Sequence, residues 1–361
     1  MRKPTHWARL SVLLVSMVAA LMVGEGVYRW MIFGNADWCK PLRDPGQYAD
    51  FFSDDDYWKL YHRFGGRYKP PGRPHPTLGW VHRFDRETFL HDRADAIGEH
   101  RPVLLYGDSF ATCVDTERCF EELLEEDSTF SSGHRLLNYG VGGYGLDQIM
   151  MLYERSIGLY DNPLVVVMVM PFDLDRSVLS VRVGQKPFFT LEGGSLQLKG
   201  VPVDPDPSAY LANNPPQIRS FVYRKLLFSR YTPAALRSWI RNEEATIAHK
   251  KLLGIAMIKR IISDLRRRDL EFLFVVFHPH WPTVSPLDDE TDWRDPFLRS
   301  LLEDEQVPYI WSKALFQAEM AGETPDFTDW IIPENGHPTT RFNRLVADAI
   351  QSHLIRGKSD Q

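Results

Sequence analysis

The sequence predicts an α/β domain built on a parallel sheet covered on both faces, preceded by one apolar N-terminal helix. Three observations predict it. Apolar runs of strand length recur at Pro102 to Tyr106, Arg135 to Tyr139, Pro163 to Met170, Glu271 to Phe277 and Val307 to Trp311. Helical patterns lie between several of them. Runs such as "PLVVVMVM" are apolar at nearly every position, the mark of strands buried on both faces.

The 361 residues, 43% apolar and 12% aromatic, suffice for a full core, and 25% charged residues argue against general disorder. The N-terminus carries Arg2, Lys3 and Arg9, then an uncharged run from Leu10 to Gly24. A span over residues 10–30, continuing through Val27 and Tyr28, reaches the roughly 20 residues a bilayer requires. The rival is a cleaved signal peptide, but an A-x-A site is missing and Gly24 and Gly26 offer a weak substitute, so an uncleaved signal anchor is favoured. Basic residues before the span keep residues 1–9 in the cytoplasm and place the rest outside it. Residues 1–30 hold four basic and one acidic side chain, so a net charge of −6 for the chain leaves −9 on the remainder. An acidic body argues against nucleic acid and against lying flat on anionic lipid.

Residues 31–100, rich in Pro, Gly, Arg, His and aromatics, read as an extended lead-in, and residues 101–361 as the main domain. Within it, "TERCFEELLEE" follows the first strand, "GLDQIMMLYERSIG" the second, and "TTRFNRLVADAIQSHLI" closes the chain as helices. "KLLGIAMIKRIISDLRRR" places Leu252, Ile255, Ile258, Ile262 and Leu265 on one helical face. Residues 181–245 interrupt the alternation: "PFFTLEGGSLQLKGVPV" reads as a hairpin about a Gly-Gly turn, followed by one or two helices split by Pro233. Ligands of parallel sheets bind beyond the carboxyl ends of the strands. That is where "GDS" puts Ser109.

A serine nucleophile needs a base, and the base needs a group that fixes its tautomer. "IIPENGHPTTRF" offers His337, with Glu334 three residues before it; alone, the pair also reads as a surface Glu and a loop His. "LLNYGVGGYGLDQ" supplies a glycine turn whose backbone N–H groups could stabilise an oxyanion. Its Gly140, Gly142 and Gly145 also fit G-x-G-x-x-G, but the match follows a second strand and no G-K-[ST] follows it. "FLFVVFHPHWP" ends a strand with His278 and His280, which could bind a metal with Asp288 or Asp289, replace His337 as base, or line a pocket beside Trp281. Trp281, Trp293 and Trp330 could stack on sugar rings or fill the core. Cys113 and Cys119 could close a small disulfide loop in an oxidising compartment, leaving Cys39 unpaired, or each be a small buried hydrophobe.

The order of these features resembles the SGNH or GDSL hydrolase superfamily: a strand ending in Gly-Asp-Ser, a strand ending in an Asn-x-Gly-x-x-Gly turn, an apolar strand ending in an acidic turn, and a carboxylate-x-x-His before the last helix. More narrowly it is similar to bacterial members held outside the cytoplasm by one N-terminal span, whose lead-in resembles "PHPTLGWVHR" at residues 74–83. The resemblance covers roughly residues 70–355. It implies a three-layer fold with a five-stranded parallel sheet of flavodoxin-like order. It also implies that Ser109 is the nucleophile and an oxyanion donor, Gly143 the second donor, Asn138 a buttress of that turn, His337 the base and Glu334 its orienter. Two departures stand out: Glu334 replaces the family's Asp, and Phe172 of "MPFDLDR" falls where the family has an oxyanion Asn, with Asp173, Asp175 and Arg176 left as a structural ion-pair cluster.

The expected activity is acyl-ester hydrolysis or O-acyl transfer outside the cytoplasm, on an acylated small molecule or polysaccharide, without metal or cofactor. The inner-membrane lipid is a partner through the anchor. The alternative is a non-catalytic polysaccharide-binding or assembly protein that keeps the fold.

Overall fold

The computed structural model describes residues 6–34, 36–66, 72–182, 184–229, 231–279, 292–321 and 326–356. Contacts divide the chain into two units, Met1–Lys69 with Asp206–Thr246 and Pro70–Pro205 with Ile247–Gln361. The helical part of the 181–245 insertion therefore groups with the N-terminal residues, and its hairpin with the sheet.

In the first unit, α1 (His6–Phe33) comes first, and its Leu10–Phe33 stretch of 24 residues is long and apolar enough to cross a membrane. The lead-in is less extended than its composition suggested, because Asp54 caps a helix, α2 (Asp55–Arg63), by accepting from Asp56 N–H. Acidic residues in its first turn and basic ones in its last suit the helix dipole. Three insertion helices, numbered by chain position, complete the unit: α8 (Pro207–Asn213), α9 (Phe221–Leu227) and α10 (Ala234–Arg241). Pro233 separates the last two, as its missing N–H and fixed φ require. Ile32, Tyr48, Leu60, Ile218 and Phe221 form a small core.

The second unit opens with a short hairpin, β1 (Arg73–His75) and β2 (Gly79–Val81). Its central sheet comprises β3 (Arg101–Tyr106), β4 (His134–Asn138), β5 (Leu164–Val169), β8 (Phe272–Val276) and β9 (Tyr309–Trp311), in the order β4-β3-β5-β8-β9 and parallel throughout. Counting sheet strands alone, that order is 2-1-3-4-5, the flavodoxin-like arrangement. Every residue of β5 is buried, as a strand covered on both faces must be. A separate hairpin pairs β6 (Phe188–Glu192) with β7 (Ser195–Lys199). Gly193 and Gly194 turn it with φ of +59° and +80°, the positive values a two-residue turn needs.

The helices of this unit are α3 (Ser109–Thr112), α4 (Phe120–Glu125), α5 (Ser128–Ser131), α6 (Leu146–Ser156), α7 (Asp173–Arg176), α11 (Glu243–Arg267) from Ile247 onward, α12 (Arg294–Asp304), α13 (Ser312–Glu319) and α14 (Thr340–Arg356). The buried face of α11 differs from the pattern read in sequence. Leu253, Met257, Ile261 and Leu265, spaced by four, are buried together with Ile258 and Ile262, whereas Leu252 is 56% exposed. The helix is rotated because Gly254 lies against Leu174 and Phe297, where a Cβ would stand 2.8 Å from a Leu174 methyl. Leu104, in the middle of β3, is fully buried in the main core. Leu104→Ala should therefore lower unfolding free energy by about 2–5 kcal/mol in denaturant titration.

Candidate active site

Ser109 is the first residue of α3, directly beyond the carboxyl end of β3. The turn is held by Asp108, whose Oδ1 accepts from Phe110 N at 2.8 Å. Its Oδ2 receives Arg176 Nη1 at 2.5 Å. Arg176 also reaches Asp173 Oδ1 at 2.8 Å, so the acidic turn after β5 is an ion-pair cluster joined to the residue before Ser109. Burial, followed by the charge of Asp108, pushes the Asp173 pKa upward, and the charge of Arg176 opposes the shift.

His337 approaches from the loop before α14, with Nε2 2.9 Å from Ser109 Oγ. Its other nitrogen, Nδ1, lies 3.2 Å from Asn335 Oδ1, and His337 N–H donates to the same oxygen at 2.9 Å. Because a backbone N–H points at that atom, it is the amide oxygen, and Nδ1 must carry the proton. Nε2 is then the acceptor facing the serine hydroxyl. Glu334, expected beside His337, does not stand there: it is exposed in the turn 333–335. The spacing of three suits one turn of helix, but Asn335 instead caps its own turn, receiving the N–H two residues on. Burial lowers the His337 pKa from 6.5; the charge of Asp108 opposes this and that of Arg176 adds to it.

The glycine turn sits against α3. Asn138 Nδ2 donates to Ala111 O at 2.7 Å while its Oδ1 accepts from Gly140 N at 2.9 Å, so the expected buttress ties the turn to the helix of Ser109. A Cβ on Gly140 would stand 2.6 Å from Thr112 N. Gly143 has φ +85°, a conformation that L side chains rarely adopt. Among the described residues, neither Ser109 N–H nor Gly143 N–H has a hydrogen-bond partner.

Two residues of this turn's setting had no signal in the sequence. Trp80, from β2, donates its indole N–H to Gly142 O at 3.0 Å. A trans peptide is planar, with C=O and N–H pointing in opposite directions, so holding Gly142 O aims Gly143 N–H the other way. Arg182, buried, donates to Gly143 O at 2.9 Å. Asn335 could have been noticed through "NG", a turn dipeptide two residues before the histidine.

Other candidates fall elsewhere. Phe172 is buried at the start of α7, its ring 4.4 Å from the Arg294 guanidinium. Asp175 pairs with Lys250 and Arg294. His278 is buried with Nδ1 3.1 Å from Ser312 Oγ and Nε2 3.2 Å from Asp295 Oδ1. His280, Trp281, Asp288 and Asp289 lie outside the described residues. Trp330 is 1% exposed and packs edge-on against Phe316 and Phe342, so it is core and not a stacking platform. Trp293 packs against Phe297. Cys113 and Cys119 form a disulfide between α3 and α4, and Cys39 is a buried free thiol.

No family model and no curated protein matches the chain. Among solved structures it is similar to the acetyl xylan esterase AlAXEase, at 14% identity and TM-score 0.40 over 70% of this chain and 98% of that one. It is similar also to Axe2, an acetylxylan esterase from Geobacillus stearothermophilus, at 13% identity and TM-score 0.38 over 70% and 94%. A third is LAE5, an alpha/beta hydrolase enzyme from the metagenome of Lake Arreo, Spain, at 11% identity and TM-score 0.40 over 70% and 94%. These similarities assign no function; the functional reading rests on the geometry above.

The depressed pKa has a definite sign. His337 in the folded protein should titrate with a midpoint below 6.5, measurable by NMR of the labelled imidazole. The unfolded chain takes up that proton first, so the group should subtract stability as pH falls through 6.5 toward the folded midpoint.

Proposed function

We propose that the protein is a serine-dependent acyl-ester hydrolase or O-acyltransferase of the SGNH type. The observation that carries this reading is the 2.9 Å contact between Ser109 Oγ and His337 Nε2, with His337 Nδ1 3.2 Å from Asn335 Oδ1. In this mechanism Ser109 Oγ attacks an ester carbonyl and passes its proton to Nε2. The tetrahedral oxyanion is met by the N–H groups of Ser109 and Gly143. Its collapse transfers the proton from Nε2 to the leaving alcohol, and an acyl-enzyme remains. Water or a sugar hydroxyl, deprotonated by the same nitrogen, then takes the acyl group. Asn335 replaces Glu334 in the orienting role; being neutral, it fixes the ring without adding charge.

The same reading makes α1 a membrane anchor, with the domain outside the cytoplasm. A disulfide beside the nucleophile suits an oxidising compartment. An acylated polysaccharide is the proposed substrate class. Phe172, apolar where a third oxyanion donor is expected, favours the second reading, a non-catalytic polysaccharide-binding protein with the same fold.

Turnover of an acetyl ester separates the two. Ser109→Ala and His337→Ala should each lower kcat by about 10⁴-fold or more. Asn335→Ala should lower it substantially while Glu334→Ala leaves it within a few-fold; the opposite ranking would restore Glu334 as orienter. Trp80→Phe removes the indole N–H while keeping an aromatic ring. It should lower kcat by up to about 10²-fold with little change in KM, as expected of an oxyanion donor left unaimed. If wild type and Ser109→Ala were equally inactive on acetyl esters while binding acylated polysaccharide alike, the non-catalytic reading would stand.

A further inference from the structure

The uncharged run Leu10–Gly24 is fifteen residues long. At ~1.5 Å per residue it covers about 22 Å, against a hydrocarbon core of about 30 Å. To close that gap the bilayer must take in roughly five more residues, up to about Arg29. Glu25 lies among them, and part of the first unit is docked on it. Ser220 Oγ donates to Glu25 Oε2 at 2.8 Å, Phe221 N to Oε1 at 2.8 Å and Val222 N to Oε2 at 3.1 Å. Arg29 pairs with Glu25 at 2.7 Å and donates to the carbonyls of Ile218 and Arg219 at 3.1 and 2.8 Å. These bonds satisfy both charges and fix the start of α9 beside the last turns of the span.

What α9 and α10 present at that level is apolar and aromatic. Tyr223 is 50% exposed, Leu226 62%, Leu236 46% and Trp239 79%. The adjoining turns of α1 expose Val27 and Trp30 in the same way. Tyr and Trp are the side chains that settle at a membrane interface. Residues 217–242 also carry six basic residues and no acidic one, in a chain of net charge −6. Arg224 is spent on Asp54 at 3.2 Å, so the positive character comes from the rest. A cationic amphipathic segment is the composition of a helix lying among headgroups, whereas the core of a protein interface is depleted in charge.

We infer that α9 and α10 form a second membrane contact, lying in the outer interface with their apolar side chains at the boundary of headgroups and acyl chains. The inference rests on α1 spanning the bilayer. It runs, for this segment, against the expectation drawn from net charge that the acidic body does not lie flat on anionic lipid. The occupant is the lipid surface of the membrane that α1 crosses.

The test uses the full chain, with Cys39→Ser and the disulfide intact, reconstituted in vesicles containing anionic lipid. An environment-sensitive fluorophore is attached in turn through Trp239→Cys, Leu236→Cys, Ser195→Cys as an aqueous reference and Val18→Cys within α1. Positions 239 and 236 should emit to the blue of 195 and lose more fluorescence to lipids with a nitroxide near the headgroup than to lipids with one deep in the chain. Val18 should be quenched by the deep nitroxide. Emission like that of 195, without lipid quenching, while Val18 is quenched, would overturn the inference and leave the span intact. Blue emission without lipid quenching would also overturn it, in favour of contact with protein such as a second copy. If Val18 itself escaped quenching, the span and this inference would fall together, whereas the esterase reading is tested by turnover alone.

Discussion

Asp108 is fully buried, and both of its side-chain oxygens are committed, one to the N–H of Phe110 and the other to Arg176. The rest of the site depends on this arrangement. The first bond turns β3 into α3 and so places Ser109 at the strand end. The second brings in Arg176, whose guanidinium also reaches Asp173 after β5 and the carbonyl of Tyr144 at the exit of the glycine turn. One cation thus joins three of the segments around the serine. Removing one partner of such a buried pair leaves the other charge unpaired in a dry interior, at a cost of about 3–5 kcal/mol.

The same cluster shapes the chemistry proposed for the histidine. A carboxylate on Nδ1 would stabilise the imidazolium formed when the serine proton moves; the amide of Asn335 orients the ring without that charge. Burial and the charge of Arg176 outweigh the charge of Asp108, which favours a protonated ring. Asn138 fixes the beginning of the glycine turn to α3, Trp80 holds the peptide that carries Gly143 N–H, and Arg182 holds the next one.

Much of this was legible in the sequence, for physical reasons. Strands covered on both faces must be apolar throughout, so β3, β5 and β8 announced themselves, and the Gly-Gly turn of β6 and β7 declared its positive φ. Ser109 and His337 were found through the order of their contexts. Features that depend on three-dimensional approach were not legible. The spacing of Glu334 from His337 suggests a shared face, whereas it is the side chain closing the Asx turn, Asn335, that meets the ring. Trp80 reaches Gly142 across 62 residues, and no local pattern encodes that. The lead-in looked extended because its aromatics and prolines lack a period, yet the Asp54 cap suffices to start α2. Net charge averages over the chain, so the basic, acid-free stretch at 217–242, on which the proposed lipid contact rests, is visible only when charge is counted locally.

The central claim is that Ser109 is an activated nucleophile. Its most direct test is treatment of the folded protein with a fluorophosphonate, followed by mass spectrometry of the peptide containing "YGDSF". One phosphonyl adduct should form, on Ser109, rapidly in the wild type and not in His337→Ala. Absence of the adduct from the wild type, or equal labelling with and without the histidine, would contradict it.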